Sequence, residues 1–255
     1  MKDAIRQVTV GVSVAATIFV NVLAISLPLN GLSTAEISDR FKVYFTPAGY
    51  VFSIWGLIYI GLIAYALYQA RPAQTADPVQ RKIGFLVAAS GLANIVWLFL
   101  WHYEQFPWTL LAMAALLVLL IAIYLQLGIG RTRASRAETW AMRIPFSIYL
   151  GWITVAIIAN VTAVLDYLNW NRFGVNPRDW MLIILAVVLV ISALMSLRHR
   201  DIAFNLVLVW ALVGIAVKQL PLSAESVVYA SLVTAALILV VLGYSIWRQR
   251  KTPTA

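Results

Sequence analysis

Eight long apolar stretches dominate this chain, and all ten acidic residues lie in the gaps between them. A helix that crosses a bilayer needs ~20 mostly apolar residues, and most of these stretches have about that length. The sequence therefore predicts an all-α integral membrane protein with about eight transmembrane helices. We expect these helices at residues 8–27, 50–68, 83–101, 108–127, 144–165, 180–197, 202–217 and 226–247, the seventh being the shortest.

The composition supports the same class of protein. Hydrophobic residues make up 62% of the chain and charged residues only 11%, whereas soluble domains carry about 25% charged residues. Acidic side chains at membrane depth usually mark ion pathways or proton relays. Because no acidic residue falls in the middle of an apolar stretch, we expect a neutral or amphipathic ligand rather than ion-coupled transport.

The basic residues predict the orientation in the membrane. Fourteen of the 19 Lys and Arg residues lie at the two termini and in the loops on their side, and five lie in the other loops. Positively charged loops remain in the cytoplasm, so we expect both termini there, in a bacterial inner (plasma) membrane. The same pattern indicates contact with the headgroups of the lipid bilayer and argues against a nucleic-acid partner, despite the net charge of +9.

The longest loop on the other side, residues 28–49, contains a helix-start signal. Ser33 and Glu36 have the spacing of a capping box, in which each side chain satisfies a backbone N–H of the other residue. Ile37, Phe41 and Tyr44 then follow at helical spacing. A short amphipathic helix is therefore expected over the outer face, and it fits a lid and an interfacial anchor equally well.

Aromatic and amide side chains converge in depth in the outer half of the predicted bundle. Counting 1.5 Å per residue, Trp55 lies ~7 Å, Trp97 ~6 Å and Asn94 ~10 Å below the outer face. Asn160 lies at a similar depth, Trp152 lies nearer the midplane, and Trp108 opens the fourth helix from the same side. The remaining tryptophans near helix ends are expected to be interfacial anchors: Trp101, Trp140, Trp170, Trp180 and Trp247.

Three segments carry a family resemblance. Residues 47–59 (PAGYVFSIWGLIY), 92–97 (LANIVW) and 144–160 (IPFSIYLGWITVAIIAN) resemble the second-, third- and fifth-helix motifs of the TspO/peripheral benzodiazepine receptor family, the tryptophan-rich sensory proteins. The motifs occur in the family's order, and the resemblance covers roughly residues 1–170. The chain departs from the family pattern at Val155, where the motif has Phe, and in retaining one proline, Pro47, of a double proline.

The resemblance implies a TspO-like five-helix unit at residues 1–170, followed by a three-helix extension at residues 171–255. It implies a membrane-embedded binding or sensory protein, often a homodimer, for a flat apolar ligand such as a porphyrin (tetrapyrrole) or a sterol-like molecule. No separate cofactor and no catalytic residue are expected. Carried over by motif and depth, the ligand-binding residues are Trp55, Asn94, Trp97, Trp108, Trp152, Ala156 and Asn160.

Two other functions remain open at this point. One is a transporter or permease that moves an amphipathic small molecule without coupling to intramembrane carboxylates. The other, implied by the family, is weak photochemical degradation of a bound tetrapyrrole. The two histidines, His102 and His199, lie at predicted membrane surfaces, so no internal haem or metal centre is expected and His102 is predicted to be a solvated loop residue.

Overall fold

The computed structural model describes residues 1–27 and 29–251, and these residues form ten α-helices. Pro28, in the predicted outer loop, and residues 252–255, at the end of the predicted extension, lie outside the described residues. The helices are α1 Lys2–Ser26, α2 Thr34–Asp39, α3 Ile54–Gln69, α4 Pro78–His102, α5 Phe106–Gln126, α6 Arg136–Glu138, α7 Ile144–Tyr167, α8 Pro177–His199, α9 Ile202–Gln219 and α10 Glu225–Lys251.

Eight of the described helical segments are long and apolar enough to cross a membrane, which confirms the predicted class of fold. The main difference lies before the fifth span, where residues 131–143 were expected to form a loop. There the Ser135 side chain accepts a hydrogen bond from the Glu138 N–H and starts α6, and the π-helical turn Thr139–Arg143 joins α6 to α7. The fifth span is therefore a continuous helical stretch, Arg136–Tyr167.

Helix α7 forms the centre of the bundle. Helices α3 and α5 pack against it from the predicted five-helix unit, and α9 packs against it from the last three helices, which also pack on one another. Gly151 allows α9 to approach closely, because a Cβ there would lie 3.1 Å from the Phe204 carbonyl oxygen. Helix α9 is thus packed directly on the helix that carries much of the predicted site.

The two ends of the bundle differ in what covers them. We call the end at which α1 begins the terminal face, and the end that carries α2 the far face. A 3₁₀ turn, Gly49–Ser53, leads from the far face into α3. Residues 29–53, termed the covering segment, contain α2 and this turn, and they lie over the far ends of α4, α7 and α9.

Candidate functional site

A small cavity of about 40 Å³ lies beneath α2 in the far half of the bundle. Helices α3, α4 and α7 supply its walls, and the covering segment supplies its roof. Its lining is mainly aromatic and aliphatic, with a few polar groups. The lining residues are Thr34, Ser38, Pro47, Phe52, Trp55, Trp97, Trp101, Trp152, Val155, Ala156, Ala159 and Asn160.

The structure brings five of the seven predicted site residues together around this cavity: Trp55, Trp97, Trp152, Ala156 and Asn160. Three of them share one face of α7, because residues four apart along a helix lie above one another. The three indoles are nearly inaccessible, with 7%, 6% and 3% of their surface exposed in the order of the sequence. The convergence predicted in depth is therefore also a convergence around the bundle axis.

Aromatic rings close the cavity on two sides. The Trp152 ring meets Phe52 and Trp55 edge-on, with centroids 5.7 and 6.4 Å apart, and Trp55 meets Tyr149 at 6.0 Å. On the α4 side, Trp97 stacks on Trp101 with an interplanar angle of 22°. Flat aromatic surfaces therefore surround the space, and edge-to-face pairs of this kind hold the rings in fixed orientations.

Three polar atoms in the cavity wall are buried without a hydrogen-bond partner in the described part of the chain. They are the indole nitrogens of Trp97 and Trp152 and the side-chain oxygen of Asn160. The Asn160 amide nitrogen, in contrast, donates to the Thr109 hydroxyl at 2.9 Å, which fixes the orientation of the amide. Leaving a buried polar group unpaired costs ~1–3 kcal/mol, so two donors and one acceptor here are typical of a ligand or water site.

Two predicted site residues lie elsewhere. Asn94 is completely buried, and its side-chain oxygen accepts a 2.7 Å hydrogen bond from Asn21, which links α4 to α1 instead of facing the cavity. Trp108 lies in the first turn of α5 with 61% of its surface exposed, on the outside of the bundle. Trp108 lies at the depth of the cavity, but it is on a face of α5 that points away from the cavity.

Two predictions about residues near the far face are wrong. Trp101 was expected to be an interfacial anchor, yet it is only 4% exposed, lines the cavity and donates from its indole nitrogen to the Thr34 carbonyl oxygen at 3.3 Å. His102 was expected to be solvated, yet it is fully buried and bonds to the Thr34 hydroxyl and the Leu29 carbonyl oxygen. Both errors arise because the covering segment folds over the end of α4.

The predicted capping box at the start of α2 is present. The Ser33 hydroxyl accepts from the Glu36 N–H, and the Glu36 carboxylate accepts from the Ser33 N–H at 2.7 Å. The hydrogen bond from the Ser33 backbone lowers the pKa of the Glu36 carboxyl below its usual value. This local pairing stabilises a helix of only six residues, which would otherwise be too short to persist.

Two ion pairs hold the end of α2 against the bundle. Arg40 forms a bidentate pair with Glu104, in the turn between α4 and α5, and this hydrogen bonding raises the pKa of Arg40. Asp39 pairs with Lys218, near the end of α9. The structure thus gives Lys218 a specific acidic partner.

Helix α9 also binds the rest of the covering segment. The Ala48 N–H donates to the Gly214 carbonyl oxygen at 3.0 Å, and the Gln219 amide donates to the Tyr44 carbonyl oxygen at 3.2 Å. Trp210 donates from its indole nitrogen to the Val51 carbonyl oxygen at 3.2 Å. Helix α9 therefore positions the roof of the cavity, a role that the sequence motifs do not predict.

The fold and the site define an integral membrane protein of eight spans. It has a covered aromatic cavity in the far half of its helical bundle. Residues 7–244 match the family model described as TSPO-like protein, and the chain belongs to that family. The match continues through α8 and α9 and into α10, beyond the region that carries the three motifs. Comparison with the curated proteins and with the solved structures gave no significant match.

Proposed function

We propose that this protein binds a flat, largely apolar ligand, such as a porphyrin or a sterol-like molecule, in the cavity beneath α2. The observation that carries the proposal is the set of three unpartnered polar atoms between buried indole rings. Such a wall offers broad apolar contact together with a few directional hydrogen bonds, the usual composition of a small-molecule site.

The chemistry of the wall limits the ligand. Two indole N–H groups can donate only, so the ligand has to present acceptor atoms toward Trp97 and Trp152. The Asn160 oxygen accepts, so a ligand N–H or O–H is favoured on the α7 side. A tetrapyrrole satisfies both requirements with its carboxylate or carbonyl oxygens and its pyrrole N–H groups, and its face can stack on indole.

The cavity is much too small for such a ligand. Sites for drug-sized molecules enclose ~300–1,000 Å³, whereas this cavity encloses about 40 Å³. Binding therefore requires movement of the covering segment, which is joined to the bundle by ion pairs and a few hydrogen bonds. In this proposal α2 is a lid, and the interfacial-anchor interpretation of the same helix accounts for none of its contacts with α4 and α9.

The proposal is tested by titrating the purified protein with a panel of porphyrins and sterols while following tryptophan fluorescence. We expect saturable quenching by at least one flat ligand, accompanied by faster hydrogen exchange in residues 29–53. Saturable binding with unchanged exchange in that segment would place the ligand elsewhere, and movement of the ligand across a sealed vesicle would favour the transporter.

Three expectations from the sequence stay predictions: the cytoplasmic location of the termini, the homodimer and the degradation of tetrapyrrole.

A further inference from the structure

A second and much larger groove, of about 1040 Å³, runs along the outside of the bundle between α3 and α9. Both helices pack against α7 but not closely against each other, so α7 forms the floor of the groove. Its long part is apolar. The apolar lining residues are Ile54, Leu57, Ile144, Ile148, Ile202, Leu206 and Val207, and Trp210 closes the end nearer the far face.

This groove opens sideways into the hydrocarbon region. Leu57, Ile202 and Leu206 line it and expose 51%, 49% and 48% of their surface. All three belong to segments long and apolar enough to cross the membrane. Since lipid chains are the molecules that surround such segments, the long part of the groove is accessible to an acyl chain without any movement of the protein.

The groove ends in a polar cluster at the terminal face. Arg143 lies there, but its guanidinium is already engaged by Glu138 and by Thr132. Asp201 is 5% exposed and accepts hydrogen bonds from the Ser147 hydroxyl and the Phe204 N–H. These two charges are therefore satisfied within the protein and leave little capacity for a ligand.

Arg200 is the cation of this cluster that remains available. It lines the groove, its side chain is exposed, and its guanidinium has no hydrogen-bond or ion-pair partner among residues 1–27 and 29–248. Its backbone is left-handed, with φ 52° and ψ 36°, at the end of α8. Glycine is the usual residue in that conformation, which several other non-glycine residues of the described chain also adopt.

The charge around Arg200 is predominantly positive. Four further arginines lie in the flanking segments, whereas the acidic residues of the region, Glu138 and Asp201, are occupied by internal contacts. A positive field at the end of an apolar groove complements a molecule with an anionic head and a long apolar tail. The additional arginines are Arg131, Arg133, Arg136 and Arg198.

We propose that this groove is a binding site for an anionic phospholipid of the surrounding bilayer. An acyl chain lies along α7 between α3 and α9, and the headgroup phosphate lies against Arg200 at the terminal face. Basic pockets between transmembrane helices are a recurring way of selecting anionic headgroups. The site would tie the α8–α9 turn to α3 and α7, and it is separate from the cavity beneath α2.

Brominated lipids test this site directly, because bromine on an acyl chain quenches a tryptophan that it touches and Trp210 lines the groove. The protein is reconstituted in phosphatidylcholine containing increasing mole fractions of brominated phosphatidylglycerol or brominated phosphatidylcholine. The Trp210 signal is obtained as the difference from Trp210→Phe. We expect the anionic lipid to reach half-maximal quenching at about fivefold lower mole fraction, the effect of one basic side chain at an anionic surface.

Two variants localise the effect. Arg200→Gln should abolish the preference for the anionic lipid, whereas Lys82→Gln, an exposed basic residue on α4 at the same face, should leave it unchanged. Ala203→Phe fills the groove and should reduce quenching by both lipids. Equal half-maximal fractions for the two lipids in the unaltered protein would overturn the proposal. An unchanged preference for the anionic lipid in Arg200→Gln would also overturn it. The same holds if neither lipid quenches Trp210 because a second copy of the chain covers it.

Discussion

At the scale of single residues, the candidate site depends on indole groups that are buried and yet lack partners. Trp97 and Trp152 are 6% and 3% exposed, and neither indole nitrogen has an acceptor among the described residues. A tryptophan that served only in packing would usually find an acceptor when buried. The unpaired donors therefore distinguish these two residues from the exposed Trp140 and Trp247, whose rings lie on the outside of the bundle.

Replacing either donor should weaken ligand binding. Trp97→Phe and Trp152→Phe retain most of the apolar surface but remove the indole N–H, and we expect each to lower porphyrin affinity about tenfold, or ~1.4 kcal/mol. Trp247→Phe, at 52% exposure, is the control and should bind as the unaltered protein does. Fluorescence titration gives the affinities, and equal values for all three folded variants would show that the deep indoles only fill space.

Asn94 should behave as a structural residue. Its bond to Asn21 joins α4 and α1, and such interhelical hydrogen bonds contribute ~1 kcal/mol in membranes. We expect Asn94→Ala to lower the unfolding temperature while leaving porphyrin affinity within twofold. A double-mutant cycle with Asn21→Ala measures the coupling between the two amides. If the cycle shows no coupling between the two amides and Asn94→Ala lowers porphyrin affinity tenfold, Asn94 contacts the ligand, as the sequence predicted.

Sequence could predict the depth of these side chains but not the direction in which they point. Depth follows from the rise per residue, so Trp55 and Trp97 were expected at nearly one level with Trp152 nearer the midplane, and all three line one cavity. Trp108 has the same depth on an outward helical face. Trp101 follows Trp97 by four residues and thus shares its face, a signal that could have overruled its position near the helix end.

At the scale of secondary structure, α2 and its attachments decide whether the cavity is accessible. Its capping box was predictable, because Ser33 and Glu36 are close in sequence. The pairs Asp39–Lys218 and Arg40–Glu104 were not, because they join residues far apart in the chain. Each pair is partly exposed, and such pairs contribute ~0.2–1 kcal/mol, enough to bias opening without locking the helix.

Breaking one pair should therefore speed ligand entry. We expect Lys218→Gln to raise the porphyrin association rate about two- to fivefold, which corresponds to the modest energy of one partly exposed ion pair. Stopped-flow fluorescence measures this rate. Asp3→Asn is the matched control, because it breaks the Asp3–Arg81 pair at the terminal face and should leave the rate unchanged. Equal rates in all three proteins would mean that α2 does not limit entry.

At the scale of the whole molecule, α9 connects the last three helices to the cavity and its cover. The last sequence motif ends at residue 160 and the resemblance covers roughly residues 1–170, which favoured a five-helix unit with an extension. In the structure, α9 packs on α7 and bonds to the covering segment through Gly214, Gln219 and Trp210. These contacts connect distant parts of the chain, so local sequence patterns contain no record of them.

A chain that ends at Asn171 should separate the two roles. It retains the cavity walls on α3, α4 and α7 but loses every α9 contact with residues 29–53. We expect it to bind porphyrin still, with faster association and dissociation and with lower thermal stability. Circular dichroism and gel filtration establish that it is folded. A folded chain without binding would show that α9 helps to build the site and does more than hold its cover.

The central claim is that ligand reaches the cavity by displacing α2, and a reversible lock tests it most directly. The chain contains no cysteine, so Asp39→Cys combined with Lys218→Cys can be joined by a short cleavable thiol crosslinker without side reactions. The same crosslinker applied to Asp3→Cys with Arg81→Cys, at the terminal face, is the control. We predict that the α2 lock abolishes porphyrin binding and that cleavage restores it, while the control binds throughout. Undiminished binding with α2 locked would contradict the account.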